Sequence, residues 1–392
     1  MALFTLRHFS NPNILKAIRT SLLLELLTPY RDYFAARGVE LSPTLDFEAL
    51  AGVLMAPDAQ VPRRLIDDLY YLEDMSTPDG MDALLHAADE AGVDFDLLAG
   101  GTPAEVAVQF RARWPNLMER THAEHSLAHR RRSFEYFQPH QPTAIAFSLP
   151  TASRLAEAEQ ELAGQLETLN RGRTCKLYAF PRSDGYWLLV RRGEPFKRDA
   201  AIEESGPASV YYRPERYDVI RYAPANGELA INAQGTKKLV ALYRRALGRL
   251  LFGAEIHFAA TTKYSLSPLI TQAEAALACA DIDGLDSVTL KEVLIQWGGP
   301  QGEVETRRAR NLFAALRSRG KSLPPCRIAR ATFSVKFSGV RTPRAVTIRE
   351  GNLATYARDE DALVLEEWLT KRGFITLPRK ANEHAAPTLA TG

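Results

Sequence analysis

Apolar residues of this chain recur three and four apart over the first third, then in alternating or hairpin-length runs. Ile14, Ile18, Leu22, Leu23 and Leu26 form one face of a helix predicted over residues 13–27, stopped before Pro29. A second helix is expected over 65–72. Thr77-Pro78 starts a third, with Thr as N-cap and Pro in the first turn, and Gly92 ends it. Thr102-Pro103-Ala104-Glu105 is a capping box that starts a helix at Pro103, and Pro115 breaks it. A further helix is expected from Asn116 to Phe137. Residues 1–138 therefore read as an α-helical domain.

A linker is expected over 138–142, a strand over 144–148 and a helix over 151–169. The period then becomes two. Strands over 176–180 and 186–192 flank Ser183-Asp184-Gly185, and strands over 217–222 and 228–232 flank Asn226-Gly227, two hairpin signals. Thr236 caps an amphipathic helix to about Leu251, with Lys238, Arg245 and Arg249 outward. A strand over 288–296 precedes a helix in which Ala309, Leu312, Phe313 and Leu316 turn inward and Arg307, Arg310 and Arg317 outward.

From Ile328 to Phe337, Ala331, Phe333 and Val335 alternate with Arg330, Thr332, Ser334 and Lys336: a strand with one buried and one basic face, paired as a hairpin with 345–349. A helix over 359–372 closes the fold, and the polar, Ala-rich residues 377–392 are expected to be disordered. The expected class is α+β: an acidic helical domain, then an antiparallel-sheet body. If the body divides into two lobes, they are 143–262 and 263–376; if their strands share one sheet, that division is false.

Charge sharpens the division. The chain of 392 residues has a net charge of +2, yet residues 1–110 hold seven Arg or Lys against seventeen Asp or Glu, a balance of −10 that leaves +12 for the rest. Between Glu305 and Glu350 stand twelve Arg or Lys and no acid. Such a run points to polyanion contact, or to ordinary solvated surface. Cys175, Cys279 and Cys326 are few, far apart and odd in number, fitting a reducing cytoplasm and no paired-cysteine zinc site. No signal-peptide core and no apolar run of membrane-spanning length is present, so no membrane is expected as a partner.

Several constellations invite chemistry. His122, His125 and His129 share one helical face as a metal site would require, but Arg130-Arg131-Arg132 follows and repels a cation. Asp218 and Glu228, on the two strands of the Asn226-Gly227 hairpin, resemble the carboxylate pair with which restriction-type nucleases hold magnesium against a phosphate. Those sites place a Lys two residues after the second acid, where this chain has Ala230. Asp281 to Asp286 resembles a cation loop in the wrong register, with Asp286 where an EF-hand needs Gly. Tyr178, Tyr186, Trp187, Tyr211, Tyr212 and Tyr217 interleave with Arg and Lys, which suits base stacking as well as ordinary sheet packing. No phosphate loop, zinc-protease motif, nucleophile elbow or kinase motif set occurs.

The leading expectation is a cytoplasmic protein that binds nucleic acid, DNA or RNA, as a non-catalytic part of a larger assembly. Its contacts would be Arg307, Arg310, Arg317, Arg330, Lys336, Arg344, Lys238, Arg245 and Arg249, and its acidic domain would take a protein partner. The alternatives are a magnesium-dependent nuclease using Asp218 and Glu228, and a scaffold that pairs acidic head with basic body between copies.

Overall fold

The computed structural model describes residues 9, 11–56, 58, 60–95, 101–128, 132–139, 147–182, 184–203, 206–253, 258–357 and 361–376. Of the linker expected over 138–142, Gln138 and Pro139 are instead the end of a strand and residues 140–142 lie outside the described residues, as do the start of the strand over 144–148, His129 and the tail from 377. The chain is α+β and divides into two compact units, Met1–Ala128 and His129–Gly392.

The first unit is helical. The predicted helix over 13–27 is two, Pro12–Lys16 and Thr20–Leu27. Thr77 and Thr102 cap as expected, accepting from the backbone N–H of Gly80 and Glu105, and helices run over Pro78–Glu90 and Pro103–Arg113. The latter is buried on every side from Ala104 to Arg111, so the bundle is built around it. Two of its buried residues are charged: Glu105 pairs with Arg19, and Arg111 lies 2.6 Å from Asp68, which also accepts from the Tyr30 hydroxyl.

The second unit carries thirteen strands among its described residues: β1 (Arg132–Pro139), β2 (Cys175–Arg182), β3 (Gly185–Gly193), β4 (Lys197–Glu203), β5 (Gly206–Tyr212), β6 (Glu215–Ala223), β7 (Glu228–Asn232), β8 (Phe258–Ala260), β9 (Leu285–Gly298), β10 (Glu303–Arg308), β11 (Arg327–Phe337), β12 (Arg344–Arg349) and β13 (Leu353–Tyr356). Eleven form one antiparallel sheet in the order β10-β9-β11-β12-β13-β1-β7-β6-β3-β2, with β8 also on β1; β4 and β5 form a ribbon of their own. Both predicted hairpins, β2–β3 and β6–β7, are present, as is β11–β12.

Three expectations are corrected. The helix expected to Phe137 ends at Ala128, and β1 follows as an interior strand, because Phe134 and Tyr136 alternate into one buried face. The helix carrying Arg307 is shorter: Glu303–Arg308 is a strand on β9, and Asn311 caps a helix of only Leu312–Arg317 by accepting from the Ala314 N–H. Strands from both sides of residue 263 share the sheet, with β1 between β13 and β7, so the sheet does not divide there.

Helices Ala152–Thr168 and Lys237–Phe252 pack on one face of β7, β6, β3 and β2, against Ile231, Ile220, Leu188 and Leu177. The closing helix Ala362–Lys371 packs on the opposite face at the other end. There Trp368 and Phe374 meet the Phe333 ring at centroid distances of 5.6 and 5.4 Å.

Candidate nucleic-acid interface

Directly opposed residues of antiparallel strands share a face, so the register can be followed across the sheet. Arg330 opposes Arg349, Arg349 opposes Leu353, Leu353 opposes Glu135, and Glu135 opposes Ile231. Ile231 is covered by the helix Lys237–Phe252; Arg330 and Arg349 are on the same side but beyond the helix, where side chains stay exposed or half-buried. One face of the sheet is therefore covered over β7 to β2 and open over β10 to β13. At about 4.8 Å between strands, the open part from β10 to β1 is roughly 24 Å wide.

The same register sets Arg308, Arg327, Arg330, Lys336 and Arg349 on the open face, with Thr332, Thr347, Ser334, Thr289 and Thr355 between them. Hydroxyls bridge the strands, Thr332 to Thr347 at 3.1 Å and Ser133 to Thr355. Glu135, at the β1 edge, and Glu292 are acids on this face; the Glu292 carboxylate is 2.7 Å from Arg330 and 3.9 Å from Arg308, whose side chain is 80% exposed. At the seam with the helix, the Arg244 guanidinium sits 4.9 Å over the Phe137 ring, and its Nε has no hydrogen-bond partner. Burial lowers its pKa, against the opposing charge of Glu135. Lys238, Arg245 and Arg249 are exposed on the helix that covers this same side of the sheet, Arg249 held 2.8 Å from Glu161.

The sequence-predicted cations thus separate. Arg330, Lys336, Lys238, Arg245 and Arg249 are on one side of the sheet. Arg307 points to the other face and pairs with Glu305 at 2.7 Å, and Arg344 lies there too, 3.0 Å from Asp361 and over the Phe337 ring. Arg317 is held by Glu274 at 2.8 Å, and Arg310 is exposed in the loop before the short helix. Arg308, Arg327, Arg349 and Arg244 were not singled out. For Arg349 the signal was present, since Val346 and Ile348 alternate with Thr347 and Arg349. For Arg244 there was none.

The other constellations are differently placed. Asp218 is wholly buried and saturated. It accepts from Arg192 Nε at 2.5 Å and Nη2 at 3.1 Å, from the Gln234 N–H at 3.0 Å and from the Tyr243 hydroxyl at 2.7 Å. Burial works against the Arg192 charge, but the bond to Asp218, the Asp218 charge and the contacts with Tyr243 and Glu194 together outweigh it and raise the pKa; burial and then the Asp218 charge raise that of Tyr243. Glu228 is buried at the far end of the hairpin, opposite Ala223, and accepts from Lys263 at 2.8 Å. Asp218 lies beyond the Val219–Asn232 pair, so about 16 Å of strand separates the two carboxylates and they share no ion.

His122 is buried, 2.9 Å from Asp74 and edge-on to Tyr70 and Tyr71. No group of three His, Cys, Asp or Glu suited to a metal occurs among the described residues. Asp281 pairs with Arg372, and Asp286 accepts from Ser338. Tyr178, Tyr186 and Trp187 are core residues, buried in the sheet. Among the described residues no helix is long and apolar enough to cross a membrane. No protein-family model matches the chain and no curated protein matches it, so the functional reading rests on this geometry.

Proposed function

We propose that the chain binds nucleic acid through the open face of its sheet, extended over the seam at Arg244 to the outer side of the neighbouring helix. The observation that carries this is the charge of that face: Arg308, Arg327, Arg330, Lys336 and Arg349 against Glu292 and, at the β1 edge, Glu135, interspersed with hydroxyls on one continuous surface. Cations and hydroxyls are the groups that contact phosphate and sugar. The one aromatic ring that the register of the described strands sets on this face outside the helix-covered strands, Phe137, is buried at the seam, so the mode is contact to the backbone rather than stacking of bases. A duplex, whose backbone is outermost, is the partner it suits.

Six phosphate contacts, five from the sheet and one from Arg244, imply a log–log salt slope of about −5, or roughly a thousandfold loss of affinity between 50 and 200 mM salt. Fluorescence anisotropy with a labelled duplex tests this. Arg308→Glu with Arg349→Glu is expected to flatten the slope by about 2. Arg317→Glu, on the short helix beside Glu274, is expected to leave it unchanged. Binding that is flat in salt, or equally weakened by Arg317→Glu, refutes the assignment.

A further inference from the structure

The ribbon of β4 and β5 stands apart from the large sheet and has no further strand partner among the described residues. Its cross-strand pairs sort its faces. Lys197 and Tyr212 share one with Asp199 and Val210, where Asp199 accepts from Lys197 at 3.0 Å and from the Tyr212 hydroxyl at 2.7 Å. Arg198 and Tyr211 share the other with Ala200, Ser209, Ile202 and Pro207. That second face is apolar and uncovered: Ile202 is 89% exposed and Tyr211 68%. A two-stranded ribbon is marginal in water by itself, and this one spends large apolar side chains on solvent.

Its two edges differ. β5 carries Pro207, which has no N–H to donate, whereas β4 has no proline and is the edge open to pairing. We propose that β4 pairs antiparallel with β4 of a second copy of this chain, about a two-fold axis through Ala200, joining two ribbons into one four-stranded sheet.

Charge selects both the occupant and the register. A two-fold axis normal to the ribbon must pass through a residue. Centred on Arg198 or Asp199 it sets like charge against itself, and centred on Ala201 it sets Asp199 against Glu203. Centred on Ile202 it pairs only residues 201–203 of the strand, whereas centred on Ala200 it pairs the whole of β4 and opposes no like charges. Arg198 then lies across from Ile202 of the copy, Asp199 from Ala201, and the basic start of each strand faces the acidic end of the other. Ile202 packs beside the aliphatic stem of the copy's Arg198. The strand is self-complementary, as an isologous interface requires.

Sedimentation equilibrium of the nuclease-treated full chain tests this. The wild type is expected at twice the 43.6 kDa chain mass, falling to one with dilution. Ile202→Arg, at a position already exposed, leaves the fold intact by circular dichroism and sets Arg against Arg198 of the copy, weakening dimerisation at least tenfold. Arg198→Glu added to Ile202→Arg restores it. Residues 198 and 202 are about 13 Å apart along one strand, so restoration requires two chains. A wild type of single-chain mass at every concentration, an Ile202→Arg variant that dimerises unchanged, or a double variant that stays monomeric each overturns the proposal.

Discussion

Replacing Asp218 with alanine separates a structural carboxylate from a catalytic one. The side chain accepts four hydrogen bonds, two of them from Arg192, which is itself buried. After truncation Arg192 keeps Glu194 and the Gln234 carbonyl, but a guanidinium without its principal counter-charge remains in a buried site. Breaking such a buried pair costs about 3–5 kcal/mol, a large share of the roughly 5–15 kcal/mol that holds a protein folded. At about 2.5 kcal/mol per molar of urea the unfolding midpoint falls by about 1.5 M. Arg192→Met in the Asp218→Ala background removes the stranded charge and is expected to recover more than half of the loss, a coupling that a double-mutant cycle reads directly. Urea titration followed by tryptophan fluorescence measures all four proteins. An Asp218→Ala protein within 1 kcal/mol of wild type refutes the network as a structural element.

Glu292→Gln removes the acid from the centre of the open face and frees Arg330; duplex affinity is expected to rise several-fold at 100 mM salt, and a fall would count against the interface. Burial pushes the Tyr222 hydroxyl up to about 12. The unfolded state therefore ionises first, and the contribution to stability, full below pH 10, is lost as the pH rises from about 10 to 12. Tyr222→Phe should flatten that part of the curve when urea midpoints are compared at pH 8, 10 and 11. Burial likewise pushes the Cys175 thiol up to about 12, so it should resist maleimide at pH 8 until the chain is unfolded, which mass mapping of the labelled peptides reports.

Local signals were the legible part of this sequence. Thr102-Pro103 with Glu105 three residues after the cap, Asn226-Gly227 between two apolar runs, and the alternation of β11 each act within about ten residues, and each has its expected element. What depends on distant residues was not legible. The acid-free run from Arg307 to Arg349 looked unanswered, yet Glu274, Glu292 and Asp361, outside the run, hold Arg317, Arg330 and Arg344. A run without acids in sequence is not a surface without acids in space. The helical spacing of Ala309, Leu312, Phe313 and Leu316 predicts a helix at Arg307, but pairing with β9 holds residues 303–308 extended and Asn311 delays the helix. The ribbon gave little signal, since the pair Ala200-Ala201 at its centre has weak strand preference.

The period of an apolar run also reports how many faces of a strand are covered, and this links the fold to the interface. Tyr186 to Val190 in β3 is apolar without a break, and every one of those residues is buried: a strand covered on both sides. In β11 and β12 Phe333, Val335, Val346 and Ile348 are buried while Thr332, Ser334, Lys336, Thr347 and Arg349 are not: strands covered on one side. Both patterns belong to one sheet, so a helix layer must stop between them. It stops at β1, where Phe137 packs under the helix and Ser133, on the same face, is exposed. An open half-face follows from this, because a sheet this wide exceeds what two helices can cover on that side. Selection at the uncovered positions is then free of packing, and cations and hydroxyls can gather there at little cost to stability.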